Sequence, residues 1–368
     1  MIVAALGQAL DARLISPPNP RVGCVLTSAK GEPLGQGHTQ RTGGPHAEIM
    51  ALRDAAAKGH SVHCATAYVT LEPCSHHGRT GPCCDALIAA GIAKVVASIA
   101  DPNPLVSGQG FARLRAAGIE VEVGPGARES RELNIGFFSR MIRKTPWVRL
   151  KVAASLDGKT ALNNGSSQWI TSEPARRDGH AWRARACAVL TGIGTVLADN
   201  PRLDVRLIET PRQPHLAIVD SRLETPLDAH LFIAGRALYI YCAVQNDAKR
   251  QALEARGATV VYLPQTDLAG SPSGHVDLAA MLRDLAAREV NEVHVEAGQA
   301  LNGALIAAGL VDELVVYLGP TVIGQGRGMA DFGPLTALAQ AVPLTFTSSE
   351  MLGPDLRIVA RVTGHDDF

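Results

Sequence analysis

ATAYVTLEPCSHHGRTGPCCDALIAAGIAKVVASIAD (65–101) carries the clearest indication of the fold class. It begins with an apolar run (65–73), continues into a short helical pattern behind a proline (83–91), and ends in a second apolar run (94–101). Short apolar runs bounded by turn residues are typical of buried strands. A strand, a helix and a strand in this order predict an α/β protein, with helices on the faces of a sheet.

The same alternation continues on both sides of this stretch. Upstream, VGCVLTS predicts a strand that begins at Val22, and HAEIMALRDAAAKG (46–59) predicts a helix that ends at a glycine. Downstream, FARLRAAG (111–118) predicts a helix and IEVEVG (119–124) predicts a strand. These elements extend one sheet through the first part of the chain.

A change of composition divides the chain. Glycine, proline and charged residues replace the apolar periodicity at 123–134. We therefore place a boundary near 140–146, and expect one domain over 1–143 and a second over 144–368.

The second part repeats the alternation of strands and helices. Strands are predicted at 147–158, 188–199 (running into a glycine-containing loop), 215–220, 237–242, 258–264, 292–298, 312–320, 343–349 and 356–362. Helices are predicted at 173–186, 278–289 and 299–309.

Composition and charge exclude several classes of protein. Of 368 residues, 46% are apolar, and 35 basic residues balance 35 acidic ones. A chain with no net charge lacks the basic surface of a general nucleic-acid or anionic-membrane binder. No run of ~18 apolar residues predicts a membrane span, and the first residues have no basic region typical of a secretory signal. We expect a cytoplasmic protein without nucleic-acid or membrane partners.

The seven cysteines are unevenly spread. Five of them come before residue 85, beside several histidines. An odd number argues against a complete disulfide framework and favours metal binding in a reducing compartment. Four of the cysteines are better interpreted as small core residues: Cys24, Cys64, Cys187 and Cys242.

One histidine and two cysteines have the pattern of a catalytic zinc site. His46 and Glu48 stand at a predicted helix start, Cys74 follows a strand, and Cys83 begins the next helix. Three protein ligands leave one zinc position for water, whose pKa the metal lowers. Glu48 would then take the proton of this water and pass it to a leaving amine, as in zinc deaminases.

A closed structural zinc site is the alternative. Its fourth ligand would be His76, His77, Cys84 or Cys64. A structural site has no use for Glu48, which favours catalysis. We prefer Cys83 to the adjacent Cys84, because each chosen cysteine then follows a proline.

Three glycine-containing stretches in the second part raise the question of a phosphate site. They lie at 192–195, 298–303 and 324–328, and none has the spacing of a dinucleotide-binding fingerprint. Each alone is more typical of a turn. The strand, turn and helix around 298–303 is the best candidate, because free backbone N–H groups at a helix start bind anions.

The motifs resemble the cytidine deaminase superfamily. The eight residues SHHGRTGP between the two cysteines, and the stretches PNPRVGCV, GQGHTQRTGGPHAE and ADPNPLVSGQG, resemble the deaminases of riboflavin biosynthesis. WVRLKVAASLDGKTAL, SSQWIT, TGIGTVLADNPRLDVR and VHVEAGQALNGALI are similar to the reductase domain of the bifunctional riboflavin proteins. The resemblance covers the whole chain.

The resemblance implies a fold and an activity, which is zinc-dependent hydrolytic deamination of a diaminopyrimidine ribotide followed by NADPH-dependent reduction of the ribosyl chain to ribityl. It implies a cytidine-deaminase-like α/β/α sandwich followed by a dihydrofolate-reductase-like α/β domain. It further implies zinc and NADPH as cofactors, a pyrimidine ribotide as the small-molecule substrate, and a homo-oligomer.

Candidate substrate contacts in the deaminase follow from the same resemblance. They are Asn19, His38, Arg79, Asp101 and Asn103. The two asparagines suit polar edges of a ring, and Arg79 suits a phosphate. His38 could equally be a packed loop residue, and Asp101 could belong to a turn that ends a strand.

The reductase contacts are also implied by the resemblance. Cofactor contacts are expected at Ala153, Trp169, Thr195, Asp199, Gly298, Gln299, Ala300, Leu301, Asn302, Gly303 and Ala304. Substrate contacts are expected at Ser167, Arg183, Leu203, Arg206 and Glu296.

Several of these residues have a second interpretation. Arg183 and Arg206 suit a phosphate because a guanidinium is planar and always charged, but Arg183 could instead lie on a solvated helix face. Trp169 could stack near the nicotinamide or fill the core. Lys151 could assist protonation of the sugar oxygen, or it could form a structural ion pair beside Asp157.

Two other functions remain open from the residues alone. A nucleic-acid base deaminase would share the zinc chemistry, but the balanced charge disfavours it. A structural zinc module fused to a ligand-sensing domain would share the pattern of elements, without turnover.

Overall fold

The computed structural model describes residues 1–76, 81–104, 106–266 and 271–368. The chain forms two compact units, Met1–Lys144 and Thr145–Phe368.

The first unit is built from a sheet and the helices that its strands lead into. Its strands are β1 (Gly23–Thr27), β2 (Pro33–His38), β3 (Thr66–Val69), β4 (Lys94–Ala97) and β5 (Glu120–Val123). Its α-helices are α1 (Ile2–Asp11), α2 (Ala47–Ala57), α3 (Cys83–Ala89), α4 (Gln109–Ala116), α5 (Ala127–Leu133) and α6 (Ile135–Arg143). Within the described residues the sheet has the order β2-β1-β3-β4-β5.

Strand direction determines where the first unit presents its polar loops. The strands β3, β4 and β5 run parallel, whereas β1 is antiparallel to both of its neighbours. The carboxyl ends of β3 and β4 therefore meet at one edge of the sheet, and the loops that follow them come together. The buried side chains of Val69, Val95 and Ala97 anchor these two strands in the core.

Four elements of the first unit differ from the sequence prediction: β2, α5, and the helices α1 and α6, which are not predicted. The strand β2 is not predicted, because PLGQGH has neither β-branched residues nor alternation. Its glycines allow close packing: a Cβ on Gly35 would lie 2.4 Å from the Ala51 carbonyl oxygen, and one on Gly37 would lie 2.4 Å from the Met50 Cβ. The helix α5 begins inside the stretch predicted as a break, since Gly126 ends the turn before it.

The second unit has a larger mixed sheet. Its strands are β6 (Trp147–Ser155), β7 (Ala161–Leu162), β8 (Ala188–Gly192), β9 (His215–Val219), β10 (Leu238–Cys242), β11 (Ala258–Tyr262), β12 (Pro264–Thr266), β13 (Pro272–Val276), β14 (Glu292–Val295), β15 (Glu313–Gly319), β16 (Gly326–Arg327), β17 (Leu344–Leu352) and β18 (Asp355–Val362). Its α-helices are α7 (Glu173–Arg185), α8 (Ile193–Asp199), α9 (Asp247–Ala255), α10 (Leu278–Ala287) and α11 (Gln299–Ala307).

The order of this sheet places several strand ends along one edge. Within the described residues it runs β11-β10-β9-β8-β14-β6-β15-β18-β17. The strands from β11 to β15 in this order are parallel, and β18 and β17 are antiparallel. Ligands of α/β proteins bind at the carboxyl edge of such parallel strands.

The alternation of strands and helices predicted for this unit is confirmed, although the short strands β7, β12, β13 and β16 are not predicted and two further elements differ. The glycine-containing loop predicted after 192 is the helix α8, and α9 is not predicted. One cysteine interpretation is wrong: Cys64 is exposed, whereas Cys24, Cys187 and Cys242 are buried.

Candidate active sites

His46, Cys74 and Cys83 come together in the first unit. His46 precedes α2, Cys74 follows β3, and Cys83 is the first residue of α3. The Nδ1 atom of His46 lies 3.6 Å from the Cys74 Sγ and 3.4 Å from the Cys83 Sγ. All three ligand atoms lie within 4.8 Å of one another. One imidazole nitrogen and two sulfurs are a donor set that zinc takes in proteins, so these residues fit a zinc ion.

Hydrogen bonds in this cluster favour a thiolate on Cys74. The Cys83 thiol and its backbone N–H both donate to the Cys74 sulfur, the latter at 3.4 Å. Together with His46, they lower the pKa of the Cys74 thiol to about 4. The hydrogen bond with Cys74 raises the pKa of His46. Because the thiolate is the metal-binding form, the cluster is electrostatically prepared for a cation.

Glu48 lies in the first turn of α2, beside the cluster. Its side chain is only 3% exposed, and burial raises the pKa of its carboxyl group. It also forms a hydrogen bond with Cys83. A carboxyl group in this position, buried beside the cluster and with its pKa raised by burial, has the chemistry of a general acid or base.

A fourth protein ligand is not found in the part of the chain that the structure describes. The Cys84 thiol donates to the Pro73 carbonyl oxygen at 3.2 Å and to that of Gly110 at 3.6 Å. Cys64 and His76 are exposed, and His77 lies outside the described residues. The geometry therefore favours a cluster with an open position over a closed structural site.

Asp101 and Asn103 form a turn after β4. The Asn103 backbone N–H donates to the Asp101 Oδ1 at 2.8 Å, which is the turn geometry that the sequence offered as an alternative. Asp101 is also buried, and burial raises its pKa to about 7, with Glu72 and Cys74 contributing. The Asp101 carboxyl group thus interacts electrostatically with Cys74.

The other predicted deaminase contacts have different surroundings. His38 ends β2, and its Nδ1 lies 3.5 Å from the Gln8 Oε1. Asn19 is half-buried, and its backbone N–H donates to the Ser16 carbonyl oxygen. Arg79 lies outside the described residues.

A cavity of about 2060 Å³ opens in the second unit at the carboxyl edge of the sheet. Predicted cofactor contacts that line it are Ala153, Trp169, Thr195, Asp199, Gly298, Gln299, Ala300, Leu301, Asn302 and Ala304. Predicted substrate contacts that line it are Ser167, Arg183, Leu203, Arg206 and Glu296. The structure therefore gathers residues that are far apart in the sequence around one space.

Gly303 does not belong to this lining in the described part of the unit. A Cβ at this position would lie 1.8 Å from the Asp331 carbonyl oxygen. This glycine lets α11 pack directly against the backbone at 331, and it makes no direct contact with the cavity.

The start of α11 has the properties of an anion site. Gly298, at the N-cap, has no side chain to cap the free N–H groups. The Asn302 Nδ2 donates to the Met329 carbonyl oxygen at 2.8 Å, while its buried Oδ1 has no hydrogen-bond partner among the described residues. Free N–H groups and an unpaired buried oxygen at the cavity wall fit a nucleotide cofactor.

Arg183 and Glu296, both predicted substrate contacts, pair with each other. The Arg183 Nε and Nη2 donate to the two Glu296 oxygens at 2.7 and 2.9 Å, and its Nη1 donates to the Asp204 carbonyl oxygen. Arg183 is 8% exposed, so the alternative of a solvated helix face is wrong. Burial alone would raise the pKa of Glu296, but the guanidinium holds it well below its usual range.

Arg206 and Trp169 are exposed on the same cavity. The Arg206 Nη1 donates to the Asp204 Oδ1 at 2.8 Å. Trp169 is 67% exposed, and the Arg176 guanidinium carbon lies 4.3 Å from its ring centroid. The core interpretation of Trp169 is therefore wrong.

Lys151 and Asp157 do not form the ion pair considered above; both are described residues. The Lys151 Nζ lies 5.8 Å from the centroid of the Tyr317 ring. Burial lowers the pKa of the Lys151 amine, and the negative charge of Glu296 partly opposes this effect. The Asp157 carboxylate accepts from the backbone N–H groups of Ile323 at 3.0 Å and Gly324 at 2.7 Å. Asp157 thus holds a turn, and Lys151 faces the cavity.

His180 is a cavity residue that sequence reasoning missed. Its Nδ1 accepts from the Arg206 backbone N–H at 3.1 Å, and burial lowers its pKa to about 4. His180 lies in α7 among several arginines, and no local sequence pattern indicates that it lines the cavity.

In the described ranges, every helix is too short or too polar to cross a bilayer.

Comparison with known families matches both units. Residues 1–99 match the cytidine and deoxycytidylate deaminase zinc-binding region, and residues 146–358 match the RibD C-terminal domain. The chain is 45% identical over 355 residues to riboflavin biosynthesis protein RibD of Escherichia coli (strain K12), covering 96% of each chain.

Solved structures give the same result. Acinetobacter baumannii RibD superposes with a TM-score of 0.88 at 37% identity, over 98% of each chain. A diaminohydroxyphosphoribosylaminopyrimidine deaminase/5-amino-6-(5-phosphoribosylamino)uracil reductase from Thermotoga maritima has a TM-score of 0.83 at 31% identity, over 98% of this chain and 97% of that one.

These matches confirm the predicted resemblance, the α/β fold class with its deaminase-like and reductase-like parts, and the expectation of zinc and NADPH as cofactors. The alternatives of a nucleic-acid base deaminase and a structural zinc module with a sensor domain are set aside. The chain belongs to the RibD family of riboflavin biosynthesis enzymes, which are deaminases and reductases in one polypeptide.

Proposed function

We propose that this cytosolic enzyme deaminates 2,5-diamino-6-ribosylamino-4(3H)-pyrimidinone 5′-phosphate and then reduces the ribosyl chain of 5-amino-6-(5-phosphoribosylamino)uracil with NADPH. Residues 1–143 perform the deamination and residues 144–368 the reduction. The observation that carries the proposal is the cluster of His46, Cys74 and Cys83 beside the buried carboxyl group of Glu48.

In the deaminase, His46, Cys74 and Cys83 would hold zinc, which supplies a water molecule of lowered pKa when bound. Glu48 takes up a proton and delivers it to the exocyclic amine of the pyrimidine, which leaves as ammonia while a carbonyl oxygen takes its place. The position of Glu48 supports this role, because its carboxyl group is buried beside the cluster and forms a hydrogen bond with Cys83.

In the reductase, the start of α11 would hold NADPH, which supplies the hydride. Lys151 delivers a proton to the sugar oxygen as the ring opens, since burial lowers the pKa of its amine. The fixed pair of Arg183 and Glu296 orients the ribotide in the cavity.

Mass spectrometry of the products tests both steps. Without NADPH, the diaminopyrimidine ribotide should exchange one amine for oxygen and release ammonia; with NADPH, this product should gain two hydrogens. Removal of zinc by a chelator should stop the first reaction but leave reduction of supplied 5-amino-6-(5-phosphoribosylamino)uracil intact. Ammonia release by the metal-free protein would contradict the proposal.

We also propose that the chain associates with a second copy along β17. Among the described residues this strand pairs only with β18 and lies at the edge of the sheet, and its Phe346 is 74% exposed. Exposed apolar edge strands pair with other chains. Phe346→Lys should convert a dimer to a monomer in analytical ultracentrifugation, whereas Val3→Lys, at an equally exposed valine of α1, should not. A wild-type monomer at micromolar concentration would exclude this interface.

A further inference from the structure

We propose that Glu72 is a positioning residue for deamination, and that its buried carboxylate fixes the loop bearing Asp101 and Asn103 to the turn that carries Cys74. This inference rests on the deaminase function proposed above.

The Glu72 carboxylate accepts hydrogen bonds from four backbone N–H groups. Oε1 accepts from Gly110 at 2.9 Å and from Phe111 at 3.3 Å. Oε2 accepts from Gly108 at 2.9 Å and from Asp101 at 3.2 Å. The residue is 4% exposed, so these bonds replace its hydration. One side chain thus joins both ends of the loop after β4.

Three of these donors belong to the start of α4. This helix begins at Gln109, and the residue at its N-cap, Gly108, has no side chain with which to cap it. The first N–H groups of a helix lack partners inside the helix, and a negative charge there is stabilised by the helix dipole. Glu72, which lies far away in the sequence, supplies both the acceptors and the charge.

The contact between α4 and the Cys74 turn is close. A Cβ on Gly110 would lie 2.1 Å from the Pro73 carbonyl oxygen and 3.1 Å from the Glu72 Oε1. The Cys84 thiol donates to the carbonyl oxygens of both Pro73 and Gly110. The turn and the helix start are therefore in direct backbone contact, and one thiol binds both of them.

Asp101 links Glu72 to Asn103 through two hydrogen bonds. Its backbone N–H is bound to Glu72, while its Oδ1 accepts from the Asn103 backbone N–H at 2.8 Å. Glu72 stands two residues before Cys74 in the sequence. Loss of the Glu72 carboxylate should shift the loop that bears Asp101 and Asn103 relative to the cluster of His46, Cys74 and Cys83. None of these three residues would be lost.

Glu72→Gln tests this arrangement, because an amide cannot replace a carboxylate here. Its nitrogen only donates, so two of the four N–H groups would face another donor. For the full-length zinc enzyme, we expect the KM for the diaminopyrimidine ribotide to rise roughly tenfold or more. Zinc content and the rate of NADPH-dependent reduction should stay at wild-type values. Amide hydrogen exchange should accelerate at Gly108 and Gly110.

The split between KM and kcat separates positioning from a purely structural role. A structural defect would lower the active fraction, and hence kcat, at unchanged KM. Glu122→Gln, at an exposed glutamate of β5, is the matched control. If Glu72→Gln does not fold, Gly110→Ala is the second variant, since it forces α4 from Pro73 while Glu72 stays intact, and it should raise KM in the same way.

An unchanged KM in the folded variant, or loss of zinc in proportion to activity, would overturn the inference. Failure of the wild-type chain to deaminate the ribotide would instead refute the proposed function. Hydrogen exchange would still report the Glu72 contacts in that case, so the two failures can be told apart.

Discussion

Glu48→Gln should lower kcat for ammonia release by at least about 10³-fold, while zinc content and the reductase rate stay unchanged. Glutamine keeps the size of the buried side chain but cannot take up a proton, and positioned acid–base groups contribute about 10² to 10⁴-fold in rate. The expected loss lies toward the upper end because the carboxyl group is buried beside the cluster, where no bulk water can replace it. Ammonia assay and metal analysis of the same preparation measure both quantities.

A second glutamate in the first unit provides the control for this experiment. Glu129 lies in the first turn of α5, as Glu48 does in α2, but it is exposed. Glu129→Gln should leave deamination unchanged. Wild-type turnover by the Glu48 variant would refute its role as the proton carrier, and loss of zinc in that variant would assign it a role in the metal site instead.

Arg183→Ala should lower kcat/KM of the reductase by about 10²-fold or more, and the free energy of unfolding of the second unit by roughly 3–5 kcal/mol. Removal of the guanidinium leaves the Glu296 carboxylate buried without its bidentate partner. The deaminase reaction should continue at its normal rate. Denaturant unfolding and NADPH oxidation with the supplied uracil ribotide measure the two effects.

The same helix supplies a control arginine. Arg177 is exposed on α7, so Arg177→Ala should alter neither quantity. Adding Glu296→Gln to Arg183→Ala should restore part of the stability, because it removes the unpaired charge, but it should not restore reduction. Recovery of reduction in this double variant would show that the pair serves stability alone.

The strands and helices with strong local patterns could be predicted from the sequence. The run at 65–73 and the helix at 299–309 carry apolar residues at the spacing of their element, and both form. The strand β2 could not be predicted, because its conformation depends on how closely Gly35 and Gly37 approach α2. That approach is a tertiary contact, which local pattern does not encode.

The candidate sites divide in the same way. The spacing of His46, Cys74 and Cys83 follows from a motif, so the sequence could indicate the cluster. The pairing of Arg183 with Glu296 joins residues 113 positions apart, and the contacts of Glu72 span up to 39 positions. Only the folded sheet brings such residues together, and no short pattern indicates their partners.

The two glycines of β2 have a consequence for catalysis. Since α2 packs directly against the backbone of this strand at Gly35 and Gly37, the helix has little freedom to slide or tilt. The carboxyl group at its start is thus preorganised before the pyrimidine arrives. Less binding energy is then needed to reorganise the protein, and more is available to stabilise the transition state.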